Sequence, residues 1–94
     1  MVKLVRGDIH PLDGQAAVRL VAHSHKMTYP GDISPLIIYL EYLEGGRSLE
    51  QRQFNVFPEQ TREWEWRGYR FTLGDYEYGE WMEVRIVPLD PAAH

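Results

Sequence analysis

Apolar side chains in this chain recur at every second position rather than every third or fourth. A strand turns successive side chains to opposite faces, so a period of two marks half-buried strands, whereas a helix needs a stripe near 3.6. In "GQAAVRLVAHSHKM" the alternation puts Ala16, Val18, Leu20 and Ala22 on one face and Arg19, Val21, His23 and His25 on the other. It continues through "EWEWRGYRFTLGDYEYGEW", residues 63–81, which hold seven of the twelve aromatic side chains. No segment carries a helical apolar stripe. At most one short helical turn is expected, at "PEQT", where Pro58 suits a turn.

The turns divide the chain into six or seven strands. Val2 and Leu4, with Ile9, read as a first strand, "HPLDG" as a turn, and residues 16–25 as the second arm of an N-terminal hairpin. "TYPGDISP" is a loop. "LIIYLEYLE" is apolar on both faces, as a central strand is. Phe54 and Val56 should share a face with Leu36 and Ile38. Facing residues in a hairpin share a face, so that pairing calls for an odd loop of three or five residues with Gly46 at positive φ; a two-residue Gly-Gly turn would place Phe54 opposite Ile37. Between Trp66 and Tyr69 the apolar phase slips. A two-residue Arg67-Gly68 hairpin explains the slip and pairs Trp66 with Tyr69, Trp64 with Phe71 and Glu65 with Arg70; a bulge at Gly68 is the alternative. "GDYEYGE" reads as a turn, "WMEVRIVPL" as a last strand with Met82, Val84 and Ile86 inward, and residues 90–94 as a flexible tail.

Short strands joined by short turns over 94 residues predict one all-β domain spanning 1–94, an antiparallel β-sandwich or a partly open barrel. The strand–proline–polar–strand arrangement "FNVFPEQTREW" resembles that of immunoglobulin-like sandwiches. The cysteines and the tyrosine corner of true immunoglobulin domains are missing, so the expectation stops at architecture.

Composition excludes several functions. With no cysteine there is no disulfide, thiolate metal site or cysteine nucleophile, which fits a reducing compartment. Residues 1–20 hold no apolar run of signal-peptide type and no stretch would span a bilayer, so a cytoplasmic protein is expected. Residues 1–40 carry four basic and three acidic side chains, residues 41–94 six and eleven, for a net charge of −4. No basic stripe exists for phosphates, and an acidic surface favours basic partners over nucleic acid or membrane.

Several motifs bear on chemistry. His23-x-His25 projects two imidazoles from one strand face, a spacing that suits zinc or copper. A site would need His10 or a carboxylate from another strand as well, and the simpler reading is two solvated, metal-free histidines beside Arg19. "RGD" at residues 6–8 is a three-residue match at a strand end. Asp8, Asp13, Asp32, Asp75 and Glu77 fall in expected loops but form no dense calcium-binding run. No hydroxyl nucleophile has a supporting motif; Ser24, between the histidines, points to the opposite face, and Glu63 and Glu65 lie on an outer face. Trp64, Trp66, Tyr69 and Phe71 read as core. Tyr76, Tyr78 and Trp81, with Asp75 and Glu77, lie in or beside a turn and are the candidates for partner contact.

These observations predict a non-catalytic, cofactor-free protein-binding module, an accessory, adaptor or inhibitor domain that can also self-associate through a sheet face or edge. Small acidic β domains of this kind occur as phage-encoded inhibitors and as subunits of larger assemblies. The alternatives are carbohydrate or small-ligand binding on the loop aromatics, and metal binding at His23 and His25.

Overall fold

The computed structural model describes residues 1–25, 36–57 and 62–89, with the backbone alone for His25. Its strands are β1 (Val2–Val5), β2 (Ile9–Pro11), β3 (Ala16–His25), β4 (Leu36–Glu44), β5 (Arg47–Val56), β6 (Glu63–Trp66), β7 (Tyr69–Glu77) and β8 (Trp81–Pro88). They form two four-stranded antiparallel sheets, β1-β8-β7-β6 and β2-β3-β4-β5. The fold is all-β and sandwich-like, and no helix occurs among the described residues. The expected loop at 28–35, the helical turn at 58–61 and the tail at 90–94 lie outside the described residues.

Eight strands replace the expected six or seven because the first segment is split between the sheets. Val2–Val5 pairs with β8, and only Ile9–Pro11 forms the hairpin with β3. The chain crosses at Arg6–Asp8, where Gly7 takes φ +89°. The split lets Leu4 stand opposite Met82 in the core.

The β6–β7 hairpin forms as the apolar phase slip implies. Trp66 pairs with Tyr69, Trp64 with Phe71 and Glu65 with Arg70, whose guanidinium lies 3.0 Å from the Glu65 carboxylate. Arg67 and Gly68 both take positive φ, 54° and 79°, as a twist-matched two-residue turn requires.

Elsewhere the phase is corrected by bulges. Glu44 pairs with Arg47 across Gly45-Gly46, both at positive φ, so the expected odd loop is not used. Tyr42 pairs with Glu50 and Leu43 with Ser48, leaving Leu49 as one extra residue. That bulge, rather than the loop, brings Phe54 opposite Ile38 and Val56 opposite Leu36. A second bulge leaves Val21 over in β3: Leu20 pairs with Leu40, then Ala22 with Tyr39 and His23 with Ile38. The faces of Ala22 and His23 are therefore exchanged relative to simple alternation. In β7, Leu73 pairs with Val84 and Tyr76 with Met82, so Gly74-Asp75 is a bulge, not a turn. The Arg62 guanidinium caps it by donating to the carbonyls of Leu73 and Gly74.

The core joins Leu4, Val18, Leu20, Ile38, Leu40, Phe71, Met82 and Val84. Along β5 and β6 an aromatic stack fills the gap between the sheets. The Trp64 ring lies 5.4 Å from Phe71 and 5.5 Å from Phe54. Glu50 accepts from Trp66 Nε1 at 3.0 Å and Arg67 Nε at 2.9 Å, and these bonds hold its carboxyl below the usual glutamate range. On the outer face of the second sheet, Glu41 is only 5 % exposed. It accepts from Arg19, its cross-strand partner, with Nε at 2.7 Å, and from Gln51. Hydrogen bonds from Ser48 and then Arg19 lower its pKa.

Two outcomes test this fold. Deleting a residue within a strand normally reverses every later side chain. Deleting Leu49 should instead leave a regular β4–β5 ladder, because the pairs on either side of it are already in phase. The variant should unfold cooperatively within a few degrees of the parent, whereas deletion of Leu40 should abolish folding. Arg19→Met should cost about 1–3 kcal/mol at neutral pH by leaving the nearly buried Glu41 carboxylate short of a charged donor. Because the Glu41 pKa is lowered in the fold, its contribution is complete above the ordinary glutamate range and is lost as pH falls through the folded value. Denaturant unfolding should show the gap between parent and variant closing toward low pH; a gap independent of pH would refute the role of Glu41.

Candidate partner-binding tip

The β7–β8 connection is shorter than its composition implies. Asp75, Tyr76 and Glu77 belong to β7, and the turn shrinks to Tyr78-Gly79-Glu80, with Gly79 at φ +76°. Glu80 N–H closes it by donating to the Glu77 carbonyl at 2.9 Å. The neighbouring strand-switch is tied to both sheets: Arg6 N–H donates to the Glu80 carbonyl and Gly7 N–H to the Leu20 carbonyl, each at 2.9 Å. The "RGD" tripeptide is thus the crossover that anchors this end of the sandwich.

The Val21 bulge supplies the third anchor. His23 was expected on an exposed polar face; it is 8 % exposed and faces the core opposite Ile38. Its Nδ1 accepts a hydrogen bond from Gly79 N–H at 3.0 Å, linking β3 of one sheet to the tip of the other. Its ring lies 5.9 Å from Tyr76 and 6.2 Å from Tyr78, the latter nearly parallel at 26°. His25 pairs with Leu36 through the backbone. Among the described residues no three His, Asp or Glu side chains converge as a metal site would require.

The five contact candidates therefore occupy different environments. Tyr76, opposite Met82, is half-buried against the core, so its reading as a loop residue is corrected by the Gly74-Asp75 bulge. Trp81 lies opposite Val5 and Glu77 at the start of β8. Met82 beside it faces the core, so Trp81 faces outward, with the Lys3 ammonium 4.1 Å from its ring centroid. Tyr78 is 50 % exposed at the apex, and Asp75, Glu77 and Glu80 around it are exposed. Asp75 Oδ1 accepts from the Tyr76 N–H at 2.9 Å, which orders the bulge. Sequence reasoning placed Tyr78 and its acidic neighbours in this region but did not see that His23 and Arg6 tie the turn to the two sheets. The His23 link depends on one surplus residue at Val21, and nothing in the spacing of "AVRLVAHSH" marks it.

Compared with known protein families, curated proteins and solved structures, the chain returns no match.

His23→Phe keeps a ring of similar breadth beneath Tyr78 but removes the acceptor for Gly79 N–H. It should cost about 0.5–1.5 kcal/mol, the net worth of one such bond, and the Gly79 amide should exchange with solvent several-fold faster. Unchanged Gly79 exchange in a folded variant would show that the imidazole does not hold the tip.

Proposed function

We propose that this chain is a non-catalytic protein-binding module, an accessory, adaptor or inhibitor domain, and that the β7–β8 tip is its contact surface. One observation carries the reading: Tyr78 is half-exposed on a turn already fixed to both sheets and backed by the buried His23 ring. Binding costs less when the contact group is ordered beforehand. Tyrosine is an effective anchor because it offers a large amphipathic area with few torsions to fix.

Charge bears on the partner. Asp75, Glu77 and Glu80 flank the tyrosine in sequence and are exposed, so a basic surface with an apolar or aromatic recess complements the tip. Such rim charges steer encounter and make association salt-sensitive. The absence of cysteine suits a module working in a reducing compartment such as the cytoplasm.

The experiment is affinity capture from the native host, identification of the bound protein by mass spectrometry, and measurement of its Kd. Tyr78→Ala should stay within a few degrees of the parent melting temperature and raise Kd by at least about tenfold, the scale of a central aromatic contact. Glu77→Lys should mainly slow association at low salt. A partner that binds both folded variants as tightly as the parent places the contact surface elsewhere.

A further inference from the structure

The two sheets turn different outer faces away from the core. On the first sheet Phe71, Leu73, Met82 and Val84 are buried, so the alternate residues Arg70, Thr72, Glu83 and Arg85 face outward. Glu63 and Glu65 of β6 join them: Arg70 pairs with Glu65, and the Thr72 hydroxyl donates to Glu63. On the second sheet Leu36, Ile38, Leu40 and Tyr42 take the core, which leaves Ile37, Tyr39, Glu41 and Leu43 of the inner strand β4 outward. β3 sets Ala17 beside Leu43 and Ala22 beside Tyr39.

Part of this second face remains open. Ile37 and Tyr39 are half-buried, Ile9, opposite Arg19 on the same face, is 52 % exposed, and the surplus Val21 is 36 % exposed beside Ala22. Apolar side chains grouped on an exposed sheet face mark a contact surface. Among the described residues, Arg19 and Glu41 are the charged side chains that the strands place here, and they neutralise each other, with Gln51 completing the bonds of the carboxylate. The rim along β5 is Gln51, Gln53 and Asn55, all exposed and uncharged.

Charge decides between occupants. The chain carries a net charge of −4 and its tip is acidic, so copies that met through the tip would oppose like charges. The outer face of the second sheet has no net charge, so two copies meet there without that repulsion, whereas a strongly charged partner finds no counter-charge. A carboxamide both donates and accepts, so a rim of Gln and Asn is complementary to itself, as a two-fold contact requires. The β5 edge is a poorer place for a second copy. It bulges at Leu49 and sets Glu50 and Arg52 on its core-side face, and bulges and inward charges keep edges apart. Nine residues of β4 at about 3.3 Å, by four strands at about 4.8 Å, give a footprint of about 550 Å². Side-chain relief raises its accessible area toward the roughly 800 Å² per partner of a standard interface.

We propose that this chain forms a two-fold dimer through the outer face of β2-β3-β4-β5, with Ile9, Val21, Ile37 and Tyr39 at the contact and the Arg19–Glu41 pair enclosed by it. The pair enters the interface already bonded, so enclosing it leaves neither charge without a partner. Stacked sheets pack about 10 Å apart, so the dimer repeats between copies the sheet-on-sheet packing that each copy uses inside. The tip takes no part in it, and the dimer stands or falls independently of the function proposed for Tyr78.

Sedimentation of the whole chain across the micromolar range tests it. The average mass should rise with concentration toward twice that of the monomer, and by the same amount in low and high salt, because the face has no net charge. Tyr39→Lys and Val21→Glu change outward side chains. Each should keep the parent's circular dichroism and raise the dimer Kd by at least about tenfold, while Tyr78→Ala should leave it unchanged. The chain has no cysteine, so an introduced thiol is a single labelling site. In the dimer, nitroxides on Gln53→Cys should lie much closer to each other than nitroxides on Arg85→Cys, on the outer face of the other sheet. These labels read the contact whether or not the charged variants fold. The proposal is overturned if the chain stays monomeric throughout, if both charged variants fold and dimerise as the parent does, or if the Arg85→Cys labels are the closer pair. Hydroxyl-radical footprinting of dilute protein should oxidise Tyr39. Protection of Tyr39 in the monomer also overturns the proposal, since the chain itself would then cover the face.

Discussion

Every strand of this protein has two faces and only one core to serve. Because side chains alternate strictly, one surplus residue decides whether everything after it lies inside or out. The bulges at Val21, Leu49 and Gly74-Asp75 are where the chain meets that constraint. The Leu49 bulge reconciles a tight Gly-Gly turn with an inward Phe54 and Val56. The other two bulges face each other across the sandwich. One turns His23 inward and the other turns Tyr76 inward, and these rings meet at 5.9 Å beneath Tyr78. Bulges commonly re-aim side chains beside functional sites; here two of them build the support of a single turn.

The same constraint explains the unequal sides of the sandwich. Both sheets must be joined by chain crossings at their edges. The Arg6–Asp8 crossing lies next to the tip and donates hydrogen bonds to both sheets there. It therefore closes only the near half of its side, and β2, three residues long, does not extend over the far half. On the opposite side the closure is made by side chains: large rings stack between β5 and β6, and the Glu50 carboxylate draws Trp66 and Arg67 together. A side closed by aromatic packing leaves no backbone edge over an open core, and a side closed by a short strand does.

Much of this was legible in the residues. The phase slip in "EWEWRGYRF", with opposite charges at Glu65 and Arg70 and a glycine after Arg67, pointed to the β6–β7 hairpin and its register, and the structure forms that hairpin rather than the alternative bulge at Gly68. The two-faced apolar pattern of residues 36–44 places β4 inside its sheet, between β3 and β5. The facing of Phe54 and Val56 was also legible, but the device that achieves it was not. Loop length and bulge are interchangeable ways to satisfy parity, and "EGGRSLE" does not distinguish them. The Val21 bulge left no trace, because Ala22 and His23 can each occupy either face at small cost. The split of the first strand was hidden for a related reason: Val2 and Leu4 alternate as a strand does, Ile9 follows after a short polar stretch, and the crossing between them is made at Gly7 with its positive φ. That a turn lies near Tyr78 and Gly79 was legible in composition, whereas its support was not, since it is contributed by residues distant in sequence.

The two ends of β8 differ in how firmly the fold holds them. Around the tip β8 is paired on both sides, by β1 and β7, and the turn beyond it is bonded to the crossover and to His23. A partner meeting Tyr78 finds a ring whose backbone is already ordered, so little conformational entropy is lost there on contact. From Arg85 to Pro88 β8 pairs, among the described residues, with β7 alone. Strand ends with ladder bonds on one side open more readily than doubly paired ones. Among the described residues the short β1 leaves β8 doubly paired at the end that carries the tip and singly paired at the other, so the firmer support lies under Tyr78.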